Sequence, residues 1–413
     1  MSQRQPHETL PRESDLDLAS LLPSLCAWHG EHGQDTKDDA SLATRAVRER
    51  MDIEIQALES LMSGDEDRLR LSDLARWLDE NITRLDPLLN SRNGLLLPES
   101  WARAHPCSRL LDEGRVLMAN AIDRDLDGAG AEGPLDPASD VASLLVGLEV
   151  RDEGRLSHQA LDGYLRLSGD YELPRLLPVF RVIECLSGAR RALRRRAEAG
   201  DDEQPALLAE TMSACRRYIE LAERYTEFRF PPLVIGVGVA GSGKSRFTRT
   251  LVSRLGAIRL CSDVERRRVH GIHPQAERSE GGVDIFSRTA TERTYRRLAK
   301  CAGALLDAGL PVCIDGTCLK REQRDLLRHQ AEGRGLPVLL ISFEADEATL
   351  ERRITKRAAR QDVPAKESLA ILARQCEAFE DFTDEERLLL VRLDTTADNA
   401  AETLAGLIQE HVR

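Results

Sequence analysis

The chain has 413 residues, of which 41% are hydrophobic and 31% charged, and its formal net charge is −12. That length suggests two or three domains, and no apolar run approaches the ~18 residues of a membrane-spanning helix, which excludes a chain of that kind. The nine cysteines form no Cys-x-x-Cys pair and are odd in number, which argues for reduced thiols in a cytoplasmic protein rather than a disulfide framework.

The charge is uneven. Residues 231–413 carry 29 Lys and Arg against 27 Asp and Glu, whereas residues 1–230 carry 29 against 43. Nucleic-acid binding by the acidic first part is therefore not expected, while the second part stays open to an anionic substrate.

Residues 1–40 are polar and read as a disordered tail, with no basic stretch followed by an apolar one, so no signal peptide is expected. From 41 to about 90, LATRAVRERMDIEIQALESLM and LSDLARWLDENITRL place apolar residues three and four apart, the helical period. DRDLDGAGAEGPLDPAS, 123–139, reads as a loop. Helices are expected over roughly 140–167, 172–198 and 203–227. Phe230-Pro231-Pro232 ends the last one and marks a domain boundary. Beyond it the rhythm changes. LVIGVGV (233–239), AIRLCS (257–262), PVCIDGT (311–317), PVLLISFEA (337–345) and LLLVRLD (388–394) are short apolar runs separated by helical stretches. This alternation predicts an α/β domain over 231–413, a parallel sheet covered by helices on both faces, preceded by a mostly helical domain over 41–230.

GVAGSGKS, Gly238–Ser245, has the spacing of a phosphate-binding loop between a strand and a helix. Glycines let the backbone curl so that its N–H groups face a phosphate, and the helix adds its positive end. Gly238, Ala240, Gly241, Ser242, Gly243, Lys244, Ser245 and Arg246 are the expected nucleotide contacts. Lys244, one of six lysines in the chain, would reach the β- and γ-phosphates, and Ser245 would ligate Mg²⁺. CSDVERRR follows the second strand. Asp263 would lie at the carboxyl edge of the sheet, where open α/β sheets bind ligands, and could act as general base. Arg266 would share its helical face. A helix N-cap also explains an Asp there. Asp315, after the third strand, could hold Mg²⁺ through water. The next residue is Gly316, not a glutamate, which favours transfer over ATP hydrolysis coupled to work. In LERRITKRAAR, Arg353 and Arg357 are four apart on one face, followed by AARQDVPAKE, expected as a mobile segment. Together they suit a lid that neutralises transition-state charge, although a solvated basic face explains the arginines too.

With these residues in order, the segment 231–413 resembles the P-loop kinase group of AAA-family ATPases that includes zeta-toxin-like kinases, polynucleotide 5′-hydroxyl kinases and chloramphenicol phosphotransferase. The resemblance rests on Gly238–Ser245, Ser262-Asp263-x-x-Arg266, Asp315 and Arg353-x-x-x-Arg357. It implies a P-loop NTPase sheet of five parallel strands in the order 2-3-1-4-5, ATP and Mg²⁺ as cofactors, Asp263 as base, Arg266 as a substrate contact, and Arg353 and Arg357 as lid residues. It leaves the acceptor open.

The first part resembles the C-terminal helices of aminoglycoside-phosphotransferase-like domains, through residues 140–180 and ECLSGARRALRRR (184–196). Where that fold carries its catalytic loop, this chain reads HPCSRLLDEG, His105–Gly114, without the catalytic Asp. Asp123 is at most a remnant of the metal-binding Asp, and no lysine lies between 38 and 243. A degenerate, truncated scaffold without activity is implied.

Three functions fit: a kinase acting on a hydroxyl of a small molecule; a nucleic-acid 5′-hydroxyl kinase, with arginines at 266–268, 293, 296, 297, 321, 324 and 328 lining a channel; and a non-catalytic nucleotide-gated module. The weak positive balance and few aromatics for base stacking count against the second.

Overall fold

The computed structural model describes residues 18–33, 41–62, 64–98, 134–199, 205–273, 285–360, 364–400, 402–404 and 406. His105–Gly114 and Asp123 lie outside them, as does most of the expected loop at 123–139. The chain divides into two units, one of residues 1–167 and 176–227, the other of residues 168–175 and 228–413.

The first unit is helical among its described residues: α1 (Leu18–His32), α2 (Leu42–Leu61), α3 (Asp65–Ser91), α4 (Pro137–Glu149), α5 (Gly154–Ser168), α6 (Leu177–Ala199) and α7 (Pro205–Thr226). α3 shows why. Leu71, Leu74, Leu78, Ile82, Leu85 and Leu89 recur at three and four and are buried, and Asp65, Glu66 and Asp67 in its first turn suit the positive end of the helix. α4 is buried over nearly its whole length, with Asp136 capping it through the Ala138 N–H and Pro137 in the first turn.

Three expectations change here. α1 falls inside the stretch expected to be a tail. The polar composition of the first residues masked a short apolar face, and Leu21, Leu22 and Leu25 are buried. The single helix expected over 140–167 is two, broken where Asp152 takes a positive φ of 63° just before Gly154. The helix expected from 172 begins at Leu177, after a 3₁₀ turn at Leu173–Arg175 that contains Pro174.

The second unit is built on five parallel strands, β1 (Leu233–Val237), β2 (Ile258–Cys261), β3 (Val312–Asp315), β4 (Val338–Glu344) and β5 (Leu390–Asp394), in the order β2-β3-β1-β4-β5. The expected fold class and strand order are both present. The helices are α8 (Lys244–Leu255), α9 (Ser262–Val269), α10 (Arg288–Asp307), α11 (Arg321–Glu332), α12 (Glu347–Arg360), α13 (Ala365–Glu377) and α14 (Asp384–Leu388). On one face of the sheet Val234, Cys313, Leu339, Ile341 and Phe343 pack with Phe247 and Leu251 of α8. Their alternating neighbours, Leu233, Ile235, Ile314 and Leu340, are buried as well. Side chains alternate across a strand, so these face the other side, which α10 and α11 cover. Burial on both faces is why β1, β3 and β4 read as unbroken apolar runs rather than alternating ones.

The chain leaves β1 toward β2 and β3 and later crosses back to β4. β1, with β3 on one side and β4 on the other, is thus the switch point of the sheet, and the crevice beyond its carboxyl end is where such sheets accept ligands. The glycine-rich loop lies there.

Candidate active site

The loop runs from Gly238 to Gly243 between β1 and α8. Two glycines are required by geometry. Gly243 sits at the N-cap of α8 with φ 99°, a left-handed value that side chains disfavour. At Gly238 a Cβ would stand 2.8 Å from both the Phe343 carbonyl and the Ser242 hydroxyl. The Gly238 N–H donates to the Thr317 carbonyl at 3.0 Å, which ties the loop to the end of β3.

Lys244 is buried. Its ammonium donates to the carbonyls of Gly238 (2.6 Å) and Val239 (2.8 Å) and to the Ser242 hydroxyl (3.3 Å). Burial pulls its pKa down to about 8, against the opposing pull of Asp315, Cys318 and Asp263; Arg357 adds to the lowering. Ser245 is exposed, and its hydroxyl donates to Asp315 Oδ1 at 3.3 Å. The other oxygen of Asp315 accepts from Arg259 Nε at 2.9 Å. The parallel register sets Asp315 opposite both Gly236 and Cys261, in the middle of the carboxyl edge. A hydroxyl and one carboxylate oxygen side by side are hard donors that fit Mg²⁺, an ion that keeps waters and takes its remaining ligands from phosphates.

Asp263 lies in the first turn of α9, exposed and without a hydrogen-bond or ion-pair partner among the described residues. The N-cap position falls on Cys261 and has no side-chain cap, so capping does not account for Asp263. Its charge acts on Lys244 and on Arg266. α9 is pinned from its other side. Glu265, fully buried, accepts from Tyr171 Oη (2.9 Å), from Arg297 Nε (2.5 Å) and from Arg268.

Arg266 is turned toward residues 285–291. It donates to the Ile285 carbonyl (2.9 Å) and to Thr291 Oγ1 (3.1 Å), with the guanidinium 5.3 Å above the exposed Phe286 ring. Its Nε is buried without a partner among the described residues. Burial lowers its pKa, and Asp263 opposes that.

On α12, Arg353 donates to the Gly241 carbonyl (3.2 Å) and to the hydroxyl (2.9 Å) and carbonyl (3.1 Å) of Thr395, just past β5. Arg357 is exposed and has no hydrogen-bond or ion-pair partner among the described residues, yet its charge reaches Lys244. The segment expected to be mobile, 358–367, belongs in its described part mostly to the ends of α12 and α13. Arg246 is exposed and lies over Phe247, 5.7 Å from the ring centroid.

Lys244, Ser245, Asp315, Asp263 and Arg357 thus share one electrostatic neighbourhood, while Arg266 and Arg353 are held by the backbone at its borders. Sequence reasoning missed three residues. Arg259 was detectable as a charge inside the apolar run AIRLCS, and Thr395 as a polar residue at the carboxyl end of a strand. Gln375, whose Oε1 accepts from the Ala240 N–H at 2.7 Å, carries no signal in the sequence.

Residues 233–382 match the model of a family described as an AAA domain. The match takes in the loop, Asp263, Asp315, Arg353, Arg357 and Gln375. Uncharacterized proteins of Mycobacterium tuberculosis (strain ATCC 25618 / H37Rv) and Mycobacterium bovis (strain ATCC BAA-935 / AF2122/97) are each 26% identical over 249 residues, covering 59% of this chain and 48% of theirs. The chain therefore spans about half the length of the curated relatives it matches. Solved structures similar to parts of it include a gluconokinase from Sinorhizobium meliloti 1021 (24% identity, 44% of this chain and 96% of that one, TM-score 0.30). Another is the Mycobacterium tuberculosis APS kinase CysC in complex with AMPPNP and APS (21%, 44% and 97%, TM-score 0.33).

Proposed function

We propose that the chain is an ATP- and Mg²⁺-dependent kinase that transfers the γ-phosphoryl group to a hydroxyl of a small molecule. One observation supports this most: a carboxylate, Asp263, without a partner among the described residues, at the same sheet edge as Lys244 and the Ser245–Asp315 pair, close enough for its charge to act on the lysine. In this reading the loop amides and Lys244 would hold the phosphates, and Ser245 and Asp315 would hold the metal, which would supply positive charge against the developing negative charge. Asp263 accepts the proton of the attacking hydroxyl. The acceptor oxygen gains a bond to the γ-phosphorus as the bond to the bridging oxygen breaks, and ADP leaves with that electron pair. Transfer of this kind is mostly positioning and charge neutralisation. Arg357, without a hydrogen-bond or ion-pair partner among the described residues, is a cation available for that charge.

The arginine channel proposed for a nucleic-acid acceptor finds little support. Arg268 and Arg297 are spent on Glu265, Arg324 is fully buried against Glu386, and Arg328 is buried beside Asp325 and Glu332. The test is a screen of nucleoside, sugar, amino-sugar and oligonucleotide acceptors with labelled ATP. Asp263→Asn is expected to lower transfer by roughly 10²- to 10⁴-fold with ATP affinity retained. A variant that transfers as well as wild type removes Asp263 from the mechanism, and ATP binding with no transfer to any acceptor favours a regulatory module instead.

A further inference from the structure

The peptide joining Val239 to Ala240 is gripped at both ends. Its carbonyl accepts from the Lys244 ammonium at 2.8 Å, and its N–H donates to Gln375 Oε1 at 2.7 Å. The peptide is trans, so its N–H and C=O point in opposite directions. Gln375, on α13, therefore pulls from one side and Lys244 from the other. A backbone N–H needs an acceptor, which fixes the amide with its oxygen toward the loop.

The contact is part of a wider grip. Leu350 and Ile354 of α12 and Leu372 of α13 form an apolar cluster against which Val239, Ala240 and Leu369 pack. At Gly241 a Cβ would stand 3.1 Å from Ile354 Cγ1, and the Gly241 carbonyl accepts from Arg353. Three successive loop residues, 239–241, are thus held by the two helices that follow β4. Packing alone accounts for the apolar contacts. It does not account for a polar side chain delivered across 135 positions of sequence to one loop amide.

We propose that Gln375 is a positioning residue of the phosphate loop: by holding the Ala240 N–H it fixes the Val239–Ala240 peptide so that the Val239 carbonyl is presented to Lys244, and it thereby makes the lysine's placement depend on α13 being docked. A peptide that donates its N–H at one end presents a more polarised carbonyl at the other, so the two hydrogen bonds reinforce each other. With Gln375 gone, the peptide is free to rotate and Lys244 keeps only the Gly238 carbonyl and the Ser242 hydroxyl. The inference rests on the nucleotide-binding reading for its consequence, because Lys244 is the residue that would meet the phosphates.

The test needs neither nucleotide nor acceptor, so it can fail or succeed apart from the kinase reading. The full chain is treated briefly with succinimidyl acetate, and acetylation of Lys244 is followed by mass spectrometry, with the exposed Lys300 on α10 as internal reference. In Gln375→Met, which keeps length and loses the acceptor, the Lys244-to-Lys300 ratio should rise about fivefold, the shift expected for one lost hydrogen bond. Gln375→Glu, which keeps an acceptor, should restore it. An unchanged ratio in Gln375→Met overturns the proposal. So does a rise shared by Lys300, which means general loosening, or a Gln375→Glu chain that behaves like Gln375→Met. If Gln375→Met does not fold, Gln375→Asn, one methylene too short to reach, enters the same assay with the same criteria.

Discussion

Lys244 and Ser245 are neighbours in sequence and opposites in environment, one buried among carbonyls and the other exposed beside Asp315. The difference gives a signed expectation. Burial holds the Lys244 pKa at about 8 in the nucleotide-free chain. Phosphate anions favour the charged form, so binding raises that pKa and the complex takes up a proton wherever the free lysine was neutral. ATP affinity should therefore fall as pH rises above about 8. Titration calorimetry at about pH 8.5, in buffers of different ionisation enthalpy, should show proton uptake that is absent in Lys244→Met. No uptake in wild type would mean that Lys244 does not meet the phosphates. A second expectation concerns Asp315. Its Oδ1 meets Ser245 while Oδ2 is held by Arg259. Asp315→Asn removes the hard anionic donor, so the Mg²⁺ concentration for half-maximal activity should rise at least ~10-fold. A Mg²⁺ titration that superimposes on wild type takes Asp315 out of the metal site.

At the scale of elements, α9 is a helix of eight residues whose direction decides where Asp263 points. What fixes it is Glu265, a fully buried carboxylate with donors from Tyr171, Arg268 and Arg297. Removing one member of a buried charged cluster leaves the others uncompensated, at a cost of about 3–5 kcal/mol. Glu265→Ala should therefore lower the denaturant midpoint of the second unit. Tyr171→Phe, which deletes one donor and no charge, should cost about 1–3 kcal/mol. If Glu265→Ala unfolds with wild-type midpoint and slope, the cluster does not hold the helix. The elements also show what the sequence carried and what it did not. The glycine-rich turn between β1 and α8 and the five strands were legible because each is specified within a dozen residues, by glycine spacing or by an apolar run. The roles of Glu265 and Gln375 were hidden because each depends on residues tens of positions away, 94 for Tyr171 to Glu265 and 135 for Gln375 to Ala240. Locally both look like polar residues on a surface helix. α1 was missed for the opposite reason, since its three buried leucines sit at the edge of a long polar stretch.

For the whole molecule, the two units differ in chemistry, one helical among its described residues and acidic in its stretch of chain, the other carrying the loop. A ligand that binds one folded unit stabilises that unit by mass action and leaves the other to its own equilibrium, so one melting temperature does not describe such a chain. Saturating ATP and Mg²⁺, at roughly a hundred times the dissociation constant, should add about 2.7 kcal/mol to the unit that contains Lys244. In differential scanning calorimetry this should move one transition upward. The moved transition should be the one that Glu265→Ala lowers, because Glu265 and the loop belong to the same unit. Lys244→Ala should abolish the shift and leave the other transition where it was. A shift that survives Lys244→Ala places the nucleotide elsewhere in the chain, and a shift in the transition that Glu265→Ala leaves untouched places it in the helical unit.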